Sequence, residues 1–153
     1  MDILFRRCRP GNRIDTLIAA VTGGEFCHCE VRFDSGACFS SEYGKGVRWA
    51  SINVTEFLGN GKLLWEVVPV MRIESQPIID WCSEQVGKQY DTAGAIAAGL
   101  GLDLEETEKW FCSEIVAAVL LRCGAVGVPT LAPPSGMRHR EGLYEWIQRT
   151  LKG

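Results

Sequence analysis

Strand-like and helix-like sequence patterns are unevenly divided along this chain. Before residue 70, most segments are short, apolar and bounded by turn residues, which is typical of strands. After that point, apolar residues recur at intervals of three and four, which is typical of helices. The predicted strands are 3–8, 26–33, 37–41, 47–54 and 63–70, and the predicted helices are 12–22, 76–86, 91–100, 108–123 and 142–151. This order predicts an α+β domain with an antiparallel sheet.

Length and composition limit the possible classes of protein. The chain has 153 residues, enough for one domain with a substantial core, and no linker or repeat divides it, so we predict a single domain over 1–153. A net charge of −3 gives no electrostatic basis for binding nucleic acid or an anionic membrane. No apolar stretch is long enough for a transmembrane segment, and residues 1–7 do not have the order of a secretory signal. We therefore expect a cytoplasmic protein, and the sequence leaves its oligomeric state open.

Cysteine usage is unusual, because the chain contains seven cysteines, a high and odd number. In a reducing cytosol thiols stay free, so the sequence argues against disulfides. We expect most of these cysteines to be small buried apolar residues.

The predicted strand 26–33 carries the first candidate for chemistry. Alternation along a strand places His28 and Glu30 on one face and Cys27 and Cys29 on the other. Neighbouring strand residues cannot converge on one metal ion, and no CxxC spacing is present, so we predict neither a metal site nor another cofactor. A carboxylate beside the imidazole could orient it and stabilise its charged form. The alternative is a structural histidine beside a solvated glutamate.

The predicted helix 108–123 carries the second candidate. Cys112 falls in its first turn, where unpaired backbone N–H groups and the positive end of the helix favour a thiolate. The same N–H groups could stabilise an oxyanion on a carbonyl carbon that the sulfur attacks. The alternative is a buried structural cysteine, an interpretation that suits the other six cysteines better.

Between these segments, Tyr90 and Asp91 precede a run of small residues at 92–95. Asp91 is a suitable N-cap for the predicted helix that follows. Capping and core filling explain part of this pattern. The functional interpretation is that Tyr90 lines a cleft that the small residues alanine and glycine leave open.

Together these segments resemble the circularly permuted branch of the NlpC-type papain-like cysteine hydrolases. That branch includes YiiX-like and YebB-like bacterial and phage proteins, with the lecithin:retinol acyltransferases as distant relatives. The matching segments are His-Cys-Glu-Val at 28–31, the hairpin segments 39–41 and 46–48, Tyr90 and Asp91 with Gly94, and Phe-Cys-Ser-Glu at 111–114. In the ordinary papain order the cysteine helix comes first, whereas here the histidine strand precedes it. The match spans roughly 17–123.

The resemblance implies a permuted papain-like fold, with an antiparallel sheet or partial barrel packed against helices. It implies that Cys112 is the nucleophile and that His28 is the general base and acid. The residue that orients His28 would be Glu30 or, as in other branches, a group on the next strand, here Ser40 or Ser41. We favour Glu30 because a carboxylate stabilises imidazolium better than a hydroxyl does.

The expected activity is cleavage of an amide or ester, by hydrolysis or acyl transfer, through a thioacyl intermediate on Cys112. The substrate could be a cell-wall peptide, a lipid or an acyl conjugate. The lack of an export signal and of a wall-binding module argues against attack on the cell wall from outside. The alternative is a non-catalytic binding or structural protein, for example of phage type, on the same scaffold. The candidate substrate contacts are Tyr90, Asp91, Trp110, Ser113 and Ser41.

Overall fold

The architecture was analysed in a computed structural model that describes residues 1–70, 75–104, 106 and 108–150. Five strands form one antiparallel sheet in the order β4-β3-β2-β1-β5, and two further two-residue strands, β6 and β7, pair in parallel. The strands are β1 (Asp2–Arg7), β2 (Phe26–Arg32), β3 (Cys38–Glu42), β4 (Gly46–Ala50), β5 (Trp65–Pro69), β6 (Gln89–Tyr90) and β7 (Lys109–Trp110). The helices are α1 (Arg13–Thr22), α2 (Gln76–Gln85), α3 (Thr92–Gly99), α4 (Cys112–Arg122) and α5 (Leu143–Thr150). These elements confirm the predicted α+β class and the antiparallel sheet.

Strand β2 lies at the centre of the sheet, and its two faces have different surroundings. Cys29 and Val31 face a core that also contains Phe5, Phe39 and the buried face of α4. Residues 112–120 of α4 are all buried, because the helix packs across β2 and β3. On the other face, Leu4, Cys38, Leu64 and Trp65 form a smaller apolar cluster. The alternation of β2 therefore decides which of its side chains meet α4.

Strands β2 and β3 pair over only part of their length. Their partners are Val31 with Phe39 and Arg32 with Cys38, so the earlier part of β2 is not hydrogen-bonded to β3 as a ladder. The hydroxyl of Ser40 donates to the carbonyl oxygen of Cys29 at 2.7 Å and satisfies that group without a ladder bond. This separation leaves the part of β2 that carries His28 outside the β2–β3 ladder.

Helix caps agree with the sequence at two places and differ at a third. The Asn12 side chain accepts hydrogen bonds from the first turn of α1, and Gly23 ends that helix at φ 71°, as predicted. The prediction of a helix from residue 108 is wrong, because residues 109–110 pair with β6 and α4 begins at Cys112. Cys112 is thus the first helical residue. The described part of α5 ends at Thr150, so the predicted end at residue 151 lies outside the described residues.

Strand β4 is shorter than predicted and is held close to the segment before β6. The prediction of a strand over 47–54 is wrong after Ala50, where the chain has no regular structure up to residue 53. Gly46 has φ 75°, and a Cβ atom there would lie 2.3 Å from the carbonyl oxygen of Lys88. Only glycine fits this approach. The backbone N–H of Val47 then donates to Lys88 O at 2.9 Å, which fixes the position of β6 and hence of Tyr90.

The expectation that the cysteines are free thiols is wrong for two of them. Cys8 and Cys27 form a disulfide, with Cα atoms 5.1 Å apart. The two residues lie where β1 ends and β2 begins, and the N–H of Cys8 donates to Glu25 O at 2.9 Å. Their pairing depends on the register of two antiparallel strands, and a sequence separation of 19 residues does not reveal that register.

Across the part of the chain that the structure describes, every helix is too short or too polar to traverse a lipid bilayer.

Candidate active site

Cys112 lies at the N-terminus of α4 and borders a cleft. Phe111 precedes it in an extended conformation, and the Phe111 N–H donates to the Glu114 carboxylate at 3.2 Å. This bond fixes the turn that presents the thiol. Cys112 is 2% exposed and lines the cleft together with Tyr90 and Phe111. The sulfur is thus sheltered from bulk water and borders the space where a substrate would bind.

His28 connects the thiol to a buried carboxylate. Its side chain hydrogen-bonds to Cys112, and its Nε2 atom lies 3.0 Å from Oε1 of Glu30. Because Glu30 takes Nε2, Nδ1 is the ring nitrogen left for the thiol. Trp65 packs edge-on against the imidazole, with ring centroids 6.2 Å apart. The predicted contact between His28 and Glu30 is therefore confirmed, and Ser40, one of the two alternative partners, is bonded to Cys29 O instead.

Arg48 extends this chain of contacts on the far side of Glu30. Its guanidinium donates to Glu30 Oε1 at 2.8 Å and to Glu42 Oε2 at 2.8 Å. Glu30 is fully buried, so its charge needs a partner of this kind. Sequence reasoning missed this role of Arg48. The signal was available, because Arg48 pairs with Ser40 across the hairpin and strand alternation places it on the face of Glu30.

The charges in this network favour an imidazolium. Burial alone would lower the pKa of His28, but hydrogen bonds to Cys112 and Glu30 outweigh it and raise the pKa to about 9. Burial alone would raise the pKa of Glu30, whereas its bonds to His28 and Arg48 lower it. Near neutral pH the site therefore holds a protonated His28 beside an ionised Glu30.

The Cys112 sulfur is surrounded by hydrogen-bond donors. A hydrogen bond from the Cys29 thiol is the largest influence and lowers the pKa of Cys112; burial opposes it, and His28 and the backbone of Cys29 lower the pKa further. The net result is a pKa well below that of an ordinary thiol. By contrast, burial raises the pKa of Cys82 to about 12. Cys112 is therefore suited to exist as a thiolate paired with imidazolium, which is the reactive form. The contact from Cys29 was not predicted from the sequence.

Tyr90 is the predicted substrate contact that the structure places beside the thiol. Its hydroxyl hydrogen-bonds to Cys112, and its ring meets Tyr43 edge-on with centroids 5.8 Å apart. Burial raises the pKa of Tyr90, so the phenol stays protonated and can donate a hydrogen bond. Asp91 acts as the predicted N-cap of α3, accepting from the Gly94 N–H at 2.7 Å.

The other predicted substrate contacts are engaged elsewhere in the fold. The Trp110 indole N–H donates to Gln85 at 3.2 Å, and its ring packs edge-on against Trp81. The Ser113 hydroxyl donates to Ala132 O at 2.7 Å and ties the loop before α5 to α4. Neither residue lines the cleft at Cys112, nor does Asp91.

Ser41 is also absent from the lining of the cleft. Its hydroxyl oxygen is buried and has no hydrogen-bond partner within the described ranges.

Two adjoining pockets meet at the site. The first is the cleft at Cys112, between α1 and α3. The second contains His28 and is lined by polar groups that include Arg6, Arg9 and Glu42. Tyr43 and Tyr90 border both pockets. Cys112 and His28 therefore border different pockets, which share Tyr43 and Tyr90.

The comparisons with known proteins add no relative to this picture. No protein-family model matches the chain, and no curated protein is significantly similar to it. The chemistry of the site therefore has to be inferred from the contacts of Cys112, His28 and Glu30.

Proposed function

We propose that this chain is a cysteine hydrolase or acyltransferase that cleaves an amide or ester. The observation that carries the proposal is the set of contacts around the imidazole: His28 meets Cys112 on one side and Glu30 at 3.0 Å on the other. A nucleophile, a base and a third group that orients the base are the parts that covalent acyl transfer needs.

The first half of the reaction forms an acyl-enzyme. The Cys112 thiolate attacks the carbonyl carbon, and a C–S bond forms while the carbonyl oxygen takes the negative charge. The backbone N–H groups at the start of α4 and the Tyr90 hydroxyl lie beside the sulfur and donate hydrogen bonds to that oxygen. The bond to the leaving nitrogen or oxygen then breaks as His28 gives that atom its proton.

The second half restores the enzyme. Neutral His28 takes a proton from water or from another acceptor, whose oxygen attacks the thioester carbon. The C–S bond breaks, and Cys112 leaves as a thiolate beside the newly protonated His28. Glu30 keeps the imidazole oriented in both halves, and Arg48 compensates its buried charge.

The order of the elements supports a permuted papain-like fold. A thiol at the N-terminus of a buried helix packs on an antiparallel sheet that carries the histidine, and the histidine strand precedes the cysteine helix in the chain. This is the arrangement expected from the resemblance to the permuted NlpC-type hydrolases. We propose membership of that branch on these grounds.

The test is the alkylation rate of each thiol by iodoacetamide as a function of pH, mapped peptide by peptide. We expect Cys112 to react fastest, with an apparent pKa well below about 8.5. Cys82 serves as an internal control, because its pKa of about 12 keeps it protonated. The fast phase of alkylation should be absent in Cys112→Ala. In His28→Gln, which preserves most of the side-chain volume, the dependence of the Cys112 alkylation rate on pH should shift to higher pH.

Two results would separate the proposal from a non-catalytic protein on the same scaffold. If Cys112 in the folded protein reacts no faster than an ordinary thiol, the enzyme proposal fails. If it reacts fast but His28→Gln leaves the profile unchanged, the assigned role of His28 fails. Circular dichroism of each variant establishes that it is folded.

A further inference from the structure

The cleft at Cys112 has an unusual lining for a site that could bind a peptide. Among the described residues that form it, none carries a charge apart from the Cys112 thiolate. The lining consists of Ile14, Leu17, Ile18, Val21, Thr22, Cys27, Tyr43, Tyr90, Thr92, Ala95, Ile96, Gly99, Phe111, Cys112, Pro133 and Pro134. Its polar side chains are few, and Tyr90 is one of them. Such a lining favours an apolar occupant.

Large apolar side chains on both walls of this cleft remain exposed to solvent. Leu17 of α1 is 50% exposed and Ile96 of α3 is 45% exposed. Single exposed apolar residues are common, but here they come from two helices and border one cleft that leads to a reactive thiol. An apolar ligand in the cleft would cover them.

Small residues of α3 shape the cleft. Ala95 lines the cleft with a small side chain that occupies little of its volume. Gly99 lets α1 approach closely, since a Cβ atom there would lie 2.8 Å from Val21 Cγ1. The two helices are thus in close contact at Gly99. The eight-residue helix α3 is about 12 Å long, which is the scale of a medium-length alkyl chain.

The adjoining pocket at His28 is more polar, although Ile14 and Ile18 also border it. Arg6, Arg9, Asn12 and Glu42 line it together with the imidazole. In the proposed reaction His28 protonates the leaving group, so the leaving group lies on this polar side. The acyl substituent then lies on the apolar side.

We infer that the cleft between α1 and α3 binds the aliphatic acyl chain of the substrate, an inference that rests on the proposed function. The carbonyl carbon sits at the Cys112 sulfur, the chain runs along α3 towards Gly99, and a polar alcohol or amine leaves through the pocket at His28. The C–S bond forms first, and the bond to the leaving group then breaks as His28 gives that group its proton. Water then releases the product as a carboxylic acid.

The first measurement compares p-nitrophenyl octanoate with p-nitrophenyl acetate. We expect kcat/KM to be higher for the octanoate by about 50-fold or more, the preference that three buried methylene groups give at roughly 0.8 kcal/mol each. Ala95→Trp should lower the ratio of the octanoate to the acetate kcat/KM about 10-fold or more, because the indole fills the part of the cleft that only the longer chain occupies. Ala93→Trp is the matched control: Ala93 lies on the same helix, is exposed and does not line the cleft.

A second measurement does not require turnover. The rate of Cys112 alkylation by N-octyl iodoacetamide is compared with that by iodoacetamide. The octyl reagent should react faster, and Ala95→Trp but not Ala93→Trp should remove the difference.

The outcomes distinguish the two proposals. If octanoate and acetate give equal kcat/KM while Cys112 is alkylated rapidly and ester hydrolysis depends on Cys112, the acyl cleft is refuted. The proposed function is unaffected by that result. If the octyl reagent is preferred but Cys112 reacts with iodoacetamide no faster than an ordinary thiol, the apolar cleft is supported and the proposed enzyme activity is refuted. A loss in Ala95→Trp that is the same for acetate and octanoate would also refute the acyl cleft.

Discussion

The carboxylate of Glu30 should hold the proton on His28, and Glu30→Gln tests this with little change in shape. The His28 pKa of about 9 lies above the ordinary value of 6.5 by a difference worth about 3.4 kcal/mol, at roughly 1.4 kcal/mol per pKa unit. Cys112 and Glu30 share this stabilisation of the imidazolium. A buried opposite charge at hydrogen-bond distance typically accounts for one to three pKa units. We therefore expect the pKa of His28 to fall by about one to two units in Glu30→Gln.

The assay is an NMR titration of the imidazole C–H signals. The chain has two histidines, so the signal missing in His139→Gln assigns the other to His28. Glu42→Gln is the matched control, because Glu42 bonds to the same guanidinium but does not hydrogen-bond to the imidazole. Its effect on the His28 pKa should be small.

Two results would contradict this account of Glu30. If the His28 pKa in Glu30→Gln stays within about 0.3 of the wild-type value, the carboxylate does not stabilise the imidazolium. If Glu42→Gln lowers that pKa as much as Glu30→Gln does, the effect belongs to the general field of the charges and not to the contact at 3.0 Å.

Three further predictions concern His28 and the cysteines. The basic limb of the profile of kcat/KM against pH should lie near 9, where His28 loses the proton that it gives to the leaving group; a limb near 6.5 would contradict the ion pair. Cys29→Ala should raise the pKa of Cys112 and slow its alkylation at pH 6, because the largest donor to the thiolate is removed; an unchanged profile would show that the thiol contact is unimportant. Reduction of the disulfide, or the double substitution Cys8→Ser with Cys27→Ser, should lower the free energy of unfolding by about 3 kcal/mol in urea titrations. A decrease of less than about 0.5 kcal/mol would contradict a formed crosslink.

Local periodicity was sufficient to find the chemical centre of the site. The period of two in β2 placed His28 with Glu30, and that pairing depends only on residues two positions apart. Helix polarity selected Cys112 from seven cysteines, although the helix begins four residues later than predicted. The later start strengthens that selection, because it makes Cys112 the first helical residue.

Long-range register could not be obtained in the same way. The Cys8–Cys27 crosslink depends on how β1 pairs with β2, and the placement of Arg48 on Glu30 depends on how β4 folds back beside β3. Cys29 was assigned to the face opposite His28, which is right, but α4 crosses that face and brings Cys112 against both residues. One sequence carries little information on such packing between elements that are distant in the chain.

The thiolate–imidazolium pair should affect stability without making it depend on pH near neutrality. The raised pKa of His28 gives stabilisation that is complete below 6.5 and lost as pH rises through about 9. The lowered pKa of Cys112 gives stabilisation that is complete above its ordinary 9.0 and lost as pH falls. Between these limits the folded pair holds one proton, on His28, and the unfolded chain also holds one, on the thiol, so the two slopes cancel.

The contribution of this pair to the free energy of unfolding can be isolated by comparison with a double variant that lacks both groups. The free energy of unfolding of the wild type, minus that of Cys112→Ala with His28→Gln, should be constant between pH 7 and 8.5 in urea titrations. Below about 6.5 the unfolded His28 takes up a second proton, so the difference should decrease by up to about 1.4 kcal/mol per pH unit. A neutral thiol–imidazole pair would also bind one proton in both the folded and the unfolded state across the neutral range, and it too would lose stability on acidification through His28. The alkylation profile separates the two cases, because only the ion pair keeps Cys112 reactive at pH 6. A difference that changes steadily between pH 7 and 8.5 would contradict both arrangements of the proton.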